Sequence, residues 1–351
     1  MDLAQKTGQR VVHLTFHKCG SQWVRNVFSD SEIQKLSGIT CPKISLNLMT
    51  MPWTAQETGT FLGPVYNASP ADWAVNRQPG DRAIVVLRDP RDRMISWIFS
   101  AAYSHRLEPS IKLWRQLLLP MTNHNRILLS FIEFGGVAPI MAKWADERDS
   151  EHTLITTYEK LVTDETAEFR RMFEFLGWKI PDATLFRVLG DLNFAKVSGR
   201  SAGEVNIYSH FRKGVAGDWR SYFNRELGAL WEERMPGLLC KLGYEQKANW
   251  FEDLPEVCEV PEEEKVDAAK INMDVADLNA QLVRLTETFG IECRKQAELK
   301  VQYKLHRKYY KKRVHRLRKM IGKLKNKRVM RWARSLTKLR RKFLGRDNKR
   351  A

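Results

Sequence analysis

Along the first part of the chain, short apolar runs alternate with stretches of helical spacing. The run Val11-Val12-His13-Leu14-Thr15-Phe16 reads as a buried strand, and Ser21 to Phe28 carries the spacing of a helix. Ala83 to Leu87 predicts a second buried strand, followed by a helix over Asp92 to Ser104 with Pro90 near its first turn. Thr153 to Thr157 and Lys43 to Leu48 are further strand candidates. Ile111 to Leu119 and Arg126 to Phe134 read as helices, and Glu165 to Leu176 as an amphipathic one ended at Gly177. Strands that alternate with helices imply an α/β fold of three layers around a parallel sheet, with a strand–phosphate loop–helix unit near its start.

The pattern changes after residue 250. We expect an α/β domain over 1–250, an acidic linker over 251–265, and a helical extension over 266–351. Ile271, Val275, Leu278, Leu282, Leu285 and Phe289 recur at coiled-coil spacing, so residues 271–289 offer an oligomerisation stripe. Charge separates the parts sharply. Residues 301–351 hold 22 Lys or Arg and one acidic residue, Asp347, whereas residues 1–300 sum to −3 within a total of +18. A homotypic coil there would set like charges side by side, so an anionic partner suits the tail better. An acidic membrane surface or an anionic glycan is the expected partner, with nucleic acid satisfying the same electrostatics.

The chemistry concentrates in three segments. Lys18 to Ser21 would form the turn between the first strand and its helix, where backbone N–H groups and a helix N-terminus make an anion site. There Gly20 permits close approach, Lys18 supplies charge, and Ser21 and Gln22 add donors. Arg88 falls at the end of the second strand, and Ser96 on the first turns of the next helix could grip the same phosphate. Arg212-Lys213-Gly214 is the third basic segment. No G-x-x-x-x-G-K-[ST] spacing is present, which weighs against a nucleotide kinase with a magnesium-holding hydroxyl.

In combination these segments resemble the sulfotransferases that use 3′-phosphoadenosine-5′-phosphosulfate (PAPS). Lys18-Cys19-Gly20-Ser21-Gln22-Trp23 is similar to their K-S-G-T-T-W loop on the 5′-phosphosulfate, and Arg88 with Ser96 to their pair on the 3′-phosphate. Tyr158 resembles the tyrosine close to the adenine. Arg212-Lys213-Gly214 with Gly217-Asp218-Trp219-Arg220 resembles the R-K-G…G-D-W-K segment that closes over the 3′-phosphate. The resemblance runs from about Val11 to Phe223 and implies transfer of a sulfuryl group from PAPS, leaving adenosine 3′,5′-bisphosphate. The acceptor we expect is a hydroxyl, or an amine, on a carbohydrate or glycolipid, because the basic tail would deliver the domain to a lipid-linked acceptor.

One element of the family pattern is missing. The histidine of K-T-H-L-P, the general base, has no counterpart in Phe61 to Asn67. Lys18 would stabilise the leaving phosphate, and Glu57 and His105 are the leading candidates for the base, with Asp72 and His17 behind them. A catalytically inactive nucleotide-binding fold that presents the basic coil is therefore an open alternative. Five scattered cysteines lack a C-x-x-C pair, so a reduced compartment and no metal site are expected. No apolar stretch reaches the ~18 residues a bilayer span needs. The expected location is cytoplasmic, peripheral to the inner face of the membrane.

Overall fold

A computed structural model describes residues 9–42, 59–107 and 109–258. Its centre is a four-stranded parallel sheet in the order β2-β1-β3-β4, built from β1 (Val11–Thr15), β2 (Phe61–Tyr66), β3 (Arg82–Leu87) and β4 (Thr153–Thr157). Burial on both faces explains why the strands read as continuous apolar runs. Val12, Leu14, Ala83 and Val85 pack on one face against α4 (Pro90–Phe99), α6 (Asn123–Trp144) and α11 (Arg225–Arg234). Val11, Ile84 and Val86 pack on the other against α1 (Ser21–Phe28), α8 (Glu165–Leu176) and α9 (Asp182–Leu192). The three layers thus follow from alternation along each strand. His13, in the middle of β1, is pushed down to about 3 by burial and then by the Arg25 charge, so it enters the sheet uncharged.

The chain departs from the sequence expectations at several places. Phe61 to Tyr66, for which the sequence pattern raised no strand expectation, is β2, paired in parallel with β1 despite its Gly63-Pro64. As an edge strand it tolerates a proline. The helix expected over Arg126 to Phe134 continues to Trp144, because Phe134, Val137, Ala138, Met141 and Trp144 keep an apolar stripe through Gly135, Gly136 and Pro139. The helix that holds Ser96 is α-helical only to Phe99 and finishes as a π-helical turn, Ser100–Ser104. Folding also extends past residue 250: Trp250 is buried and Arg225 donates its N–H to the Pro255 carbonyl at 2.9 Å, so the first residues of the expected linker belong to the domain. The Lys43 to Leu48 strand, the 271–289 stripe and the basic tail lie outside the described residues. Among the described residues no single helix is long and apolar enough to cross a membrane.

Topology fixes where a ligand would bind. Since β1 is flanked by β2 on one side and β3 on the other, the chain reverses direction across the sheet between β1 and β3. Such a switch point opens a crevice beyond the carboxyl ends of the strands. Lys18 follows β1 and Arg88 follows β3, which places both at that crevice.

Candidate active site

The loop after β1 is built to leave donors open. Lys18 and Gly20 both have left-handed backbones, with φ of 71° and 76°, and Gly20 is the N-cap of α1 without any side-chain cap. Cys19 donates its N–H to the Phe16 carbonyl at 3.3 Å, whereas among the described residues the N–H groups of Gly20, Ser21, Gln22 and Trp23 have no backbone partner. Those open N–H groups meet the positive end of the α1 dipole. Gly20 is required on two counts: its φ, and a Cβ that would lie 3.0 Å from the Tyr158 ring.

Lys18 supplies the charge. Lys18 is half-buried, and its ammonium has neither a hydrogen bond nor an ion pair among the described residues. Burial first, then the Arg88 and Arg212 charges, lower its pKa to about 7. A cation held under such strain gains from an anion. Arg88 lies against it, donating to the Lys18 carbonyl at 3.0 Å and to the Val215 carbonyl at 3.1 Å, with its guanidinium 4.2 Å above the Tyr158 ring. Its Nε is buried without a partner. Arg88 also faces Asp92 at 3.6 Å, but Asp92 mainly accepts the N–H groups of Gly217 and Trp219, at 2.6 and 2.8 Å. The Arg88 clamp therefore ties three loops to one point.

The third basic segment closes on itself. Arg212 pairs with Asp218, donates to the Tyr222 hydroxyl at 3.1 Å and stacks on Phe99, while Lys213 meets the other Asp218 oxygen at 2.7 Å. Burial works to raise the Asp218 pKa, but the two cations outweigh it and hold the carboxyl below its usual range. Lys213 is thus engaged by Asp218, a partner its place in the motif did not reveal. Gly214, with φ of 69°, has no room for a side chain: a Cβ would lie 2.4 Å from the Phe194 ring.

Other expected ligands have different surroundings. The Cys19 thiol is fully buried in the apolar core and burial pushes it up to about 12, which corrects its place among the binding side chains. The Ser21 hydroxyl bonds the Tyr66 hydroxyl at 3.0 Å, with Gln22 beside the same phenol. Trp23 packs edge-on to Phe169 at 6.0 Å and keeps a buried, unpartnered Nε1. Ser96 is half-buried on α4, and its hydroxyl has no hydrogen bond among the described residues. Tyr158 lies beneath Arg88 and against Gly20, a prop for both clamps.

The candidate bases divide clearly. Glu57 lies outside the described residues. Asp72 is occupied as the third residue of a capping box on α3 (Pro70–Asn76), bonded to Ser69, and is corrected as a base. His105 follows the π-helical turn, edge-on to Trp97 at 6.1 Å, with Nδ1 3.2 Å from the Arg106 carbonyl. His17 stacks flat on Tyr66 at 3.9 Å. His210, which the sequence reading missed, feels the Lys18 charge above all, then burial and His105, and is pulled down to about 4. Its signal was its place directly before Phe211-Arg212-Lys213-Gly214.

Residues 77–236 match the family model of the sulfotransferase domain. That stretch, a little under half of the chain, is similar to sulfotransferase domains. The chain is similar to sulfotransferase 1C2 of Homo sapiens, 23% identical over 168 residues, which cover 44% of this chain and 54% of that protein. Similarity extends to a 3-beta-hydroxysteroid sulfotransferase of Cavia porcellus, 24% identical over 174 residues, or 46% of this chain and 58% of that one. The match therefore spans about half the length of these relatives. Mouse sulfotransferase SULT7A1, solved in complex with PAP, aligns with 17% identity and a TM-score of 0.49 over 68% of this chain and 88% of that one. The sulfotransferase match takes in Arg88, Ser96, Tyr158 and Arg212 to Gly214; the Lys18 loop precedes it.

Proposed function

We propose that this chain transfers the sulfuryl group of PAPS to a hydroxyl acceptor. The observation that carries the reading is the Lys18 ammonium, half-buried and unpaired among the described residues, beside Arg88 and a row of open N–H groups at the sheet's switch point. Such a crevice wants several negative charges in one ligand, and a nucleotide with phosphates at both ends of its ribose supplies them. Lys18 and the α1 N-terminus would hold the 5′-phosphosulfate, while Arg88 and Ser96 would hold the 3′-phosphate. As the bridging oxygen gains charge, Lys18 would stabilise it without reorganisation.

We infer a carbohydrate or glycolipid acceptor from the tail, whose +21 over residues 301–351 suits an anionic membrane. Incubation with sulfur-35-labelled PAPS and glycan or lipid extracts tests the activity. Label should pass to an acceptor, and complete retention in PAPS would leave only a binding fold. Flotation with vesicles rich in anionic lipid tests the tail; equal flotation of a chain truncated near Glu264 would rule the membrane role out.

A further inference from the structure

We propose that His17 is the general base that takes the proton of the acceptor hydroxyl. The inference rests on the sulfuryl-transfer reading above and supplies what the missing K-T-H-L-P histidine would do. Placement argues for it first. His17 stands immediately before Lys18 beyond the end of β1 and stacks on Tyr66 at the end of β2, so its ring sits on the β2 side of the crevice within reach of the Lys18 charge. Its orientation is fixed: the imidazole stacks on Tyr66 at 3.9 Å and 13°, and Ser21 holds the Tyr66 hydroxyl at 3.0 Å. Trp97 completes the wall at 6.3 Å. A base locked by packing is worth more than one on a mobile stem.

Competitors at this edge are already engaged. Glu159 accepts the Asp89 N–H at 2.9 Å and the Tyr244 hydroxyl at 3.1 Å. Asp92 takes two backbone N–H groups, and Asp218 pairs with Arg212 and Lys213. His105 has Nδ1 3.2 Å from the Arg106 carbonyl, and His210 packs edge-on to Phe211 at 5.7 Å. Neither ring nitrogen of His17 has a hydrogen bond among the described residues.

Charge tunes the group. Burial first, then Arg93, His105 and Lys18, hold the His17 pKa down to about 4, so the ring is neutral and ready to accept. The negative charges of a bound nucleotide offset those cations and raise its basicity toward the range where a general base works best. In the step, the acceptor O–H bond breaks and its proton goes to a His17 ring nitrogen. The oxygen forms a bond to sulfur while the bond from sulfur to the 5′-phosphate oxygen breaks, its electron pair leaving with the phosphate beside Lys18. The imidazolium then returns its proton to water.

The test uses the full chain, sulfur-35-labelled PAPS and a graded set of acceptors from unactivated alcohols through phenol to 4-nitrophenol, with His17→Ala and His17→Gln. Binding of adenosine 3′,5′-bisphosphate is measured separately for each variant. We expect that binding within a few-fold of wild type, with transfer to alcohols and phenol down by about a hundredfold or more and transfer to the readily ionised 4-nitrophenol down far less. An equal loss across the set, or none, would overturn the assignment. A wild-type chain that binds no nucleotide would overturn the underlying reading instead. One that binds it yet sulfates nothing in the set would overturn both the activity and the base.

Discussion

Raising the pH above neutrality should weaken nucleotide binding, and the structure sets the size of the effect. The Lys18 pKa of about 7 means that the free protein has largely lost this charge by pH 9. A bound polyanion favours the protonated form and should return the group toward its ordinary value of about 10.4. Binding then takes up a proton: about half a proton per chain at pH 7 and nearly one at pH 9. The affinity for adenosine 3′,5′-bisphosphate should fall by about 50-fold between those two values, because the fraction of chains with a charged lysine falls from about one half to about one hundredth. Phosphate ionisation, near pH 6, is complete over most of this range and adds little. Calorimetry in buffers of different ionisation enthalpy reads the proton uptake directly, and Lys18→Arg, whose guanidinium does not titrate, should flatten the profile. An affinity that stays constant from pH 7 to 9 in the wild type would refute the argument, since Lys18 would then be either already charged or remote from the ligand.

The clamps should separate kinetically: Lys18→Ala should cut transfer by about a hundred- to a thousandfold, whereas Arg88→Ala should act mainly on nucleotide affinity, by about 1.5–3 kcal/mol, as steady-state kinetics beside calorimetry would show. Gly214→Ala should cost about 2–5 kcal/mol in denaturant unfolding, from its left-handed backbone and the collision with Phe194. Because Asp218 is held below its usual range, the stability it contributes is present above the ordinary Asp pKa and is lost as pH falls through the lower folded value. Asp218→Asn should therefore lose about 3–5 kcal/mol at neutral pH, by removing the carboxylate that Arg212 and Lys213 share, and should respond less to acid in a pH series of melts.

Much of the frame was legible because burial on both sheet faces writes strands as apolar runs. β1, β3, β4, α1 and α8 were read to within a residue or so. β2 was missed because Gly63-Pro64 breaks the run, and a proline is acceptable on an edge strand. At the site, Lys18, Gly20 and Arg88 could be read because a turn between strand and helix and a cation after a strand are local signals. What pairs across the fold was not local. Nothing in the sequence shows Asp218 engaging Arg212 and Lys213, Tyr158 propping Arg88 against Gly20, or Tyr66 stacking on His17. Cys19 misled for a similar reason: its loop position suggests a donor, yet the tight Lys18 backbone turns the thiol into the core.

The account depends on the Lys18 loop and Arg88 gripping one adenosine that carries phosphates at both ends of its ribose. The direct measurement is the affinity of the full chain for adenosine 3′,5′-bisphosphate beside that for adenosine 5′-monophosphate, at pH 7 and one salt concentration. One bisphosphate should bind per chain, with the 3′-phosphate contributing about tenfold or more in affinity, a preference that Arg88→Ala removes. Equal affinity for the two nucleotides, or no binding of either at millimolar concentration, would contradict it.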